Sequence, residues 1–171
     1  MRSSGIARAI TKASSTIPAP TLVVFILSIF HPVDLLLCAT ATRTMKRAVF
    51  SKKAPKPIGP YSQAVEAGGY VFCSGQIGLD PKTGELVDGV VAQTNKALTN
   101  LKEVLEKVGL ALEDVVKTTV FMEDLAEYSK MNEEYAKHFP SLPPARSTVQ
   151  VAGLPRGSRV EIDAIAVKRS S

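Results

Sequence analysis

The stretch from residue 90 to residue 108 constrains the fold most, because its apolar side chains recur at the spacing of an amphipathic helix. Gly109 follows the last of them directly, as is common just past a helix C-terminus. The repeating positions are Val90, Val91, Thr94, Ala97, Leu98, Leu101, Val104, Leu105 and Val108. A helix is therefore predicted here, and the flanking segments must supply whatever covers its apolar face.

The flanking segments have the character of short β-strands. Three strand-like runs, at residues 46–51, 62–66 and 70–77, precede the helix, and a β-branched run at 115–122 follows it. A second helical pattern at 125–139 ends at Pro140, and two alternating segments close the chain. The order β-β-β-α-β-α-β-β predicts an α+β fold, with one mixed sheet covered on one face by two helices.

The second face of the sheet also needs cover. In the last strand Val160, Ile162 and Ala164 point to one side while Ile165 and Val167 point to the other, so burial on both sides is predicted. Self-association is the simplest way to bury the second face. Clefts between copies would then be natural ligand pockets.

Residues 1–44 differ in kind from the rest of the 171-residue chain. They are basic and Ser-rich, and their apolar stretch at 21–30 is about half the length of the roughly 20 residues a membrane span needs. Three interpretations stay open: an organelle presequence, a signal-like segment, or upstream sequence translated from a start codon placed too early. Met45 begins a self-sufficient domain, residues 45–171. We expect the cytoplasm, or a mitochondrion or plastid if the presequence is genuine.

Charge and motif content disfavour several function classes. The chain carries a net charge of +5, but four basic residues and one acidic residue precede Met45, so the domain itself is near +2. No basic cluster with stacking aromatics indicates nucleic acid, and no membrane contact is expected of the domain. Cys38 and Cys73 form neither a disulfide framework nor a metal-ligand pattern, and no Gly-rich phosphate loop is present. No metal and no cofactor are expected.

Two charges stand out in the closing strands, Arg146 and Glu161. A fixed guanidinium can grip a substrate carboxylate, and a fixed carboxylate can handle water or a proton. The plainer alternatives are an interface ion pair for Arg146 and a solvent-facing carboxylate for Glu161. If residues 153–158 closed a symmetric hairpin, the two backbones would be about 13 Å apart, too far for a simple cross-strand pair. Either the connection is not a simple hairpin, or the side chains converge across a ligand or between copies.

Four further residues are weaker candidates on their own. Ser74 and Gly75 end a strand, where a small hydroxyl and a glycine leave room for a ligand. Tyr61 follows the rigid segment Ile58-Gly59-Pro60, although a packed aromatic would look the same. Asn132 lies on an otherwise apolar helix face, although it could simply bridge backbone groups.

Taken together, six ordered blocks between about Met45 and Lys168 resemble the Rid family of reactive intermediate deaminases. The blocks are Gly59-Pro60-Tyr61-Ser62-Gln63-Ala64, Ser74-Gly75-Gln76-Ile77, Val116-Lys117-Thr118-Thr119-Val120, Asn132-Glu133-Glu134-Tyr135, Pro144-Ala145-Arg146-Ser147, and Leu154-Pro155 with Val160-Glu161-Ile162. The resemblance implies a chorismate-mutase-like fold and a homotrimer with sites between subunits. It also implies hydrolysis of 2-imino acids, such as 2-iminobutanoate and 2-iminopropanoate, or their enamines, to 2-keto acids and ammonia.

The same resemblance implies roles for particular residues. Arg146 would bind the substrate carboxylate and Glu161 would handle water, with Tyr61, Ser74, Gly75 and Asn132 in the pocket. Thr148 stands where many relatives have cysteine, which argues against a thiol nucleophile and favours a contribution from its backbone amide. Two alternatives are kept: a non-catalytic trimer that binds small carboxylates or client proteins, and, less favoured, an endoribonuclease or translation inhibitor.

Overall fold

The structure is a computed structural model that describes residues 46–168. The segment 1–44, for which a presequence or an early start codon is predicted, lies outside the described residues. In the described part of the chain, no helix is both long and apolar enough to cross a membrane.

The order of elements predicted from the sequence is confirmed. Short 3-10 turns at Leu112–Asp114, Leu125–Glu127 and Pro155–Gly157 precede β4, α2 and β6. The elements are β1 (Arg47–Val49), β2 (Ala64–Ala67), β3 (Tyr70–Ile77), α1 (Val90–Glu106), β4 (Val115–Met122), α2 (Tyr128–His138), β5 (Ala145–Gln150) and β6 (Val160–Val167). The bounds of each helix and strand thus lie close to those predicted from the sequence.

The six strands form one mixed sheet in the order β1-β2-β3-β6-β4-β5. Neighbouring strands are antiparallel except β4 and β5, which are parallel. Of the alternatives that the sequence leaves open, the structure shows that the connection is not a simple hairpin, because β4 lies between β5 and β6 and pairs with both. The physical reason is composition: β4 is apolar enough to be buried between two strands, whereas the polar strand β5 suits a sheet edge.

Both helices cover one face of the sheet, as predicted. Fully buried side chains from α1, including Leu98 and Leu101, pack with Val120 of β4 and Ile162 of β6. Burial of these apolar surfaces, at about 25 cal/mol per Å², is the main stabilising contribution to such a layer.

The opposite face, here called the open face, carries the alternate residues of the strands. Glu161, Asp163 and Ile165 of β6 are half-buried there, and Phe72 of β3 is exposed. Within one chain, β6 is therefore buried on the helix-covered face but only partly buried on the open face. Completion of this burial by self-association stays a prediction.

Candidate active site

Arg146 lies on β5 with its side chain against α2. Its backbone pairs with Thr118 of β4, a fully buried residue on the helix-covered face. The Arg146 Nη2 donates hydrogen bonds to the Tyr128 hydroxyl (2.9 Å) and to Asn132 Oδ1 (2.7 Å). The guanidinium also stacks over the Tyr135 ring, 4.6 Å from its centroid, as cation–π pairs do. Arg146 is thereby held in one orientation.

The charge on Arg146 has no carboxylate partner among the described residues. Both hydrogen bonds come from Nη2, so Nε and Nη1 have no protein acceptor within residues 46–168. The side chain borders a cavity of about 340 Å³ that is also lined by Asn132, Tyr135, Phe139 and Pro144. A fixed, unpaired guanidinium in a cavity is suited to binding a small carboxylate.

Thr148 lies two residues beyond Arg146 on the same strand and the same face. The amide of Val151 donates to the carbonyl of Met122 on β4 (3.0 Å). Because strand backbone groups alternate in direction, the amides of Arg146 and Thr148 point away from β4, off the free edge of the sheet. The backbone amide at Thr148 thus has no partner strand on that side, and its contribution to ligand binding stays a prediction.

Glu161 belongs to a second pocket, where β3 meets the beginning of β6. Burial, and next the nearby negative charge of Asp163, raise the pKa of the Glu161 carboxyl. No described group donates a hydrogen bond to this carboxylate, whose atoms lie against Gly75. A Cβ at position 75 would come within 2.6 Å of Glu161 Cδ, so glycine is what lets the carboxylate sit there. This half-buried, unpaired carboxylate can accept a proton near neutral pH more readily than an ordinary glutamate.

Tyr61 and Ser74 line the same cavity of about 330 Å³ as Glu161. The Ser74 hydroxyl donates to the carbonyl of Ser62 (2.7 Å), and the Tyr61 hydroxyl accepts from the amide of Ile58 (3.3 Å). The walls are largely apolar, with Ile58, Ile77, Leu79 and Pro155 among them. The same cavity is also lined by Lys56, Gln76 and Arg156, so two hydroxyls and further polar side chains lie beside the carboxylate.

The structure therefore divides the predicted site residues into two half-sites. The first, called the arginine half-site, contains Arg146, Asn132 and Thr148. The second, called the glutamate half-site, contains Glu161, Tyr61, Ser74 and Gly75. All seven predicted site residues therefore belong to one of two separate half-sites rather than to a single site.

The two half-sites lie on opposite faces of the sheet. Arg146 is level with Thr118 on β4, and Glu161 with Phe121, three residues further along. The two backbones are about 14 Å apart, because two strand spacings and three residue positions separate them. Side chains alternate between the two faces of a sheet from one residue to the next, so an offset of three positions places Arg146 and Glu161 on opposite faces. A symmetric hairpin would have placed both residues on one face, and the position of β4 between β5 and β6 excludes that arrangement. Within a single chain, no small ligand touches both Arg146 and Glu161.

Sequence reasoning missed three residues that build these half-sites. Tyr128 and Tyr135 were assigned to the apolar face of the second helix, yet both flank Arg146. Their spacing of four and three residues from Asn132 places all three on one face of α2, which is the signal that could have found them. Gln63, buried before β2, binds the backbone of Ser51 and Pro55 and holds the loop that carries Tyr61.

Thiol chemistry and a clustered metal site find no support in the described residues. Burial, with a smaller effect of Asp163, raises the pKa of the Cys73 thiol to about 12, so the thiol stays protonated and is a poor nucleophile. Between residues 46 and 168, no three His, Cys, Asp or Glu side chains come together as a metal-binding group.

The fold and the site together define the class of protein: an α+β protein with one mixed sheet, an arginine without a carboxylate partner on the helix-covered face and a glutamate of raised pKa on the open face. Comparisons with known proteins narrow this class. The profile of the family described as Endoribonuclease L-PSP matches residues 51–168. The chain belongs to this family, which agrees with its resemblance to Rid proteins.

Individual relatives cover the same region. A RutC family protein of Pyrococcus horikoshii is 50% identical over 125 residues, 72% of this chain and 99% of the relative. The 2-iminobutanoate/2-iminopropanoate deaminase of Mus musculus is 49% identical over 125 residues, 72% of this chain and 93% of the relative. The crystal structure of E. coli TdcF with bound serine matches with a TM-score of 0.70 at 41% identity, covering 72% of this chain and 99% of that one.

Proposed function

We propose that this protein hydrolyses small 2-imino acids, or the enamines in equilibrium with them, to 2-keto acids and ammonia. The observation that carries the proposal is Glu161, a half-buried carboxylate with a raised pKa and no donor among the described residues. Binding a carboxylate needs only Arg146, whereas hydrolysis also needs a group that handles water. The name of the mouse relative supports this choice of reaction.

The active site in this proposal forms between two copies of the chain. The arginine half-site of one copy faces the glutamate half-site of another, which joins groups that one chain keeps on opposite sheet faces. The exposed aromatic side chains Tyr70 and Phe72 on the open face supply apolar surface for such contact. A homotrimer, which the family resemblance implies, is the proposed assembly.

The reaction follows from the placement of the two charges. The substrate carboxylate binds Arg146, which brings the carbon of the protonated imine toward Glu161. Glu161 accepts a proton from water as the oxygen of that water bonds to this carbon, giving a tetrahedral carbinolamine. Glu161 then returns the proton to the amino nitrogen. The C–N bond breaks, ammonia leaves, and the hydroxyl becomes the carbonyl of the 2-keto acid as it releases its proton. No covalent enzyme intermediate is involved.

The test generates the imine in place with an amino-acid oxidase and follows its decay with and without the purified protein. Because free imines hydrolyse unaided, the quantity measured is the increase in rate per protein added. We expect Arg146→Ala to remove most of this increase, and Glu161→Gln to lower it about 100-fold, the usual size of a general-base effect. An Arg146→Ala variant as active as the wild type would contradict the scheme.

A second candidate is a non-catalytic protein that binds small carboxylates. It is favoured by one observation, the serine bound to the related E. coli protein. The Glu161→Gln variant, compared with the wild type, distinguishes the two candidate functions. Under the hydrolase proposal this variant still binds 2-ketobutanoate but no longer accelerates imine decay, whereas a pure binding protein shows no acceleration even in the wild type.

The family description also includes the word endoribonuclease. The near-neutral charge of the domain disfavours this activity, since phosphate contacts need clustered Lys and Arg. RNA cleavage that survives Arg146→Ala and falls steeply with salt would revive it.

A further inference from the structure

Tyr128 presents a hydroxyl beside Arg146 whose own proton has no acceptor among the described residues. Arg146 Nη2 donates to the Tyr128 oxygen at 2.9 Å. A guanidinium carries donors only, so in this pair the tyrosine oxygen must be the acceptor. The phenolic proton therefore points elsewhere, and the side chain is 38% exposed.

Tyr135 on the same helix shows the opposite arrangement. Its hydroxyl is paired with Thr118 Oγ1 at 2.8 Å inside the core, and the residue is only 4% exposed. Its ring lies under the Arg146 guanidinium and supplies stacking. The two tyrosines are seven residues apart, close to two helical turns, so they contact the same arginine with different chemistry.

A bound carboxylate offers acceptor sites for both neighbours. Its two oxygens accept about four hydrogen bonds, and Arg146 has Nε and Nη1 without a protein acceptor in residues 46–168. The Tyr128 oxygen is within hydrogen-bond distance of the guanidinium, so a carboxylate oxygen bound at Arg146 comes within reach of the phenolic proton.

We propose that the Tyr128 hydroxyl donates a hydrogen bond to the substrate carboxylate held by Arg146, as a further substrate-binding residue. This inference rests on the proposed function, since it concerns the same half-site and the same ligand class. It predicts a contribution to substrate affinity that is separate from the bracing of Arg146. The residue does not act on the imine carbon.

The experiment compares Tyr128→Phe with the matched control Tyr70→Phe, in which the hydroxyl lost lies on the open face, outside both half-sites. The affinity for 2-ketobutanoate is measured by titration calorimetry, and KM and kcat by the imine-decay assay. We expect Tyr128→Phe to raise Kd and KM about tenfold, equivalent to about 1.4 kcal/mol, with kcat changed less than about twofold. Tyr70→Phe should leave Kd and KM unchanged, because its ring is kept and its hydroxyl belongs to neither half-site. Tyr135→Phe should lower the melting temperature, because Thr118 Oγ1 loses its partner in the core.

A double-mutant cycle separates direct binding from bracing of Arg146. In an Arg146→Lys background, lysine no longer presents the fork that Tyr128 braces. If Tyr128 contacts the carboxylate itself, adding Tyr128→Phe weakens binding about tenfold again. No further loss in that background, or wild-type affinity for Tyr128→Phe alone, overturns the inference while leaving the proposed function intact. A wild-type protein that neither binds 2-ketobutanoate nor accelerates imine decay overturns both.

Discussion

Mixing two inactive variants should restore activity if the active site forms between copies of the chain. Arg146→Ala removes the carboxylate-binding group and Glu161→Gln removes the group that handles water, so each variant alone is expected to be inactive. In a mixed assembly, some sites combine the intact arginine half-site of one copy with the intact glutamate half-site of another. Mixing therefore rebuilds complete sites from two damaged chains.

The expected recovery follows from the sheet geometry. Because β4 separates the two strands and Arg146 and Glu161 project from opposite faces, a site that uses both residues would have to draw them from two copies. With equal amounts of the two variants assembled at random, a site receives both intact residues in about one case in four. We therefore expect about 25% of wild-type activity, whatever the number of copies in a closed ring.

The assay co-expresses equal amounts of the two variants, purifies all assemblies together without selecting mixed ones, and measures imine decay per site. Native mass spectrometry checks that mixing is random. The matched control mixes wild type with the Arg146→Ala/Glu161→Gln double variant, which leaves about one quarter of sites intact for sites between copies but about one half for sites within one copy. Randomly mixed single variants that stay inactive would refute the reasoning.

Three further predictions concern the glutamate half-site and Cys73. Gly75→Ala should abolish most of the acceleration while the chain stays folded, because the added Cβ displaces the Glu161 carboxylate; circular dichroism and imine decay check this. Burial raises the Glu161 pKa in the folded state, so between the ordinary value of 4.5 and the folded-state pKa the folded protein binds more protons than the unfolded one, and stability falls as pH rises. Glu161→Gln should therefore be more stable than wild type at pH about 7.5 but not at pH about 4, as urea unfolding will show, and the opposite order would contradict the assigned burial. Cys73→Ala should keep wild-type kcat, since a thiol with a pKa of about 12 takes no part in the chemistry, and a large loss of kcat without unfolding would restore a thiol mechanism.

Much of the fold could be predicted because its elements depend on local patterns. The repeat that ends at Gly109 predicts α1, and the β-branched run predicts β4, since side-chain period and backbone geometry are linked within a few residues. Strand order could not be predicted in this way. The sequence leaves open whether β5 and β6 form a hairpin, because pairing depends on which strands are apolar enough to be central, a comparison across the whole sheet.

The candidate site shows the same division. Arg146 and Glu161 could be singled out because a charge in an alternating apolar strand is conspicuous in the sequence. Tyr128 and Tyr135 share a helix face with Asn132, but the spacing alone does not assign them to a site, because an aromatic residue on such a face looks like part of the core until the strand beside it is known. The Gly75 contact with Glu161 is likewise invisible in the sequence, since it joins strands 86 positions apart.

The sequence by itself determined the class of fold, the family, and the chemical groups available to a ligand, because these depend on residue type and local period. Only the tertiary structure decided where those groups lie. The insertion of β4 between β5 and β6 places the arginine and the glutamate on opposite faces of one sheet. Side-chain direction alternates along every strand, so this long-range pairing, which no local pattern encodes, divides the site into two halves.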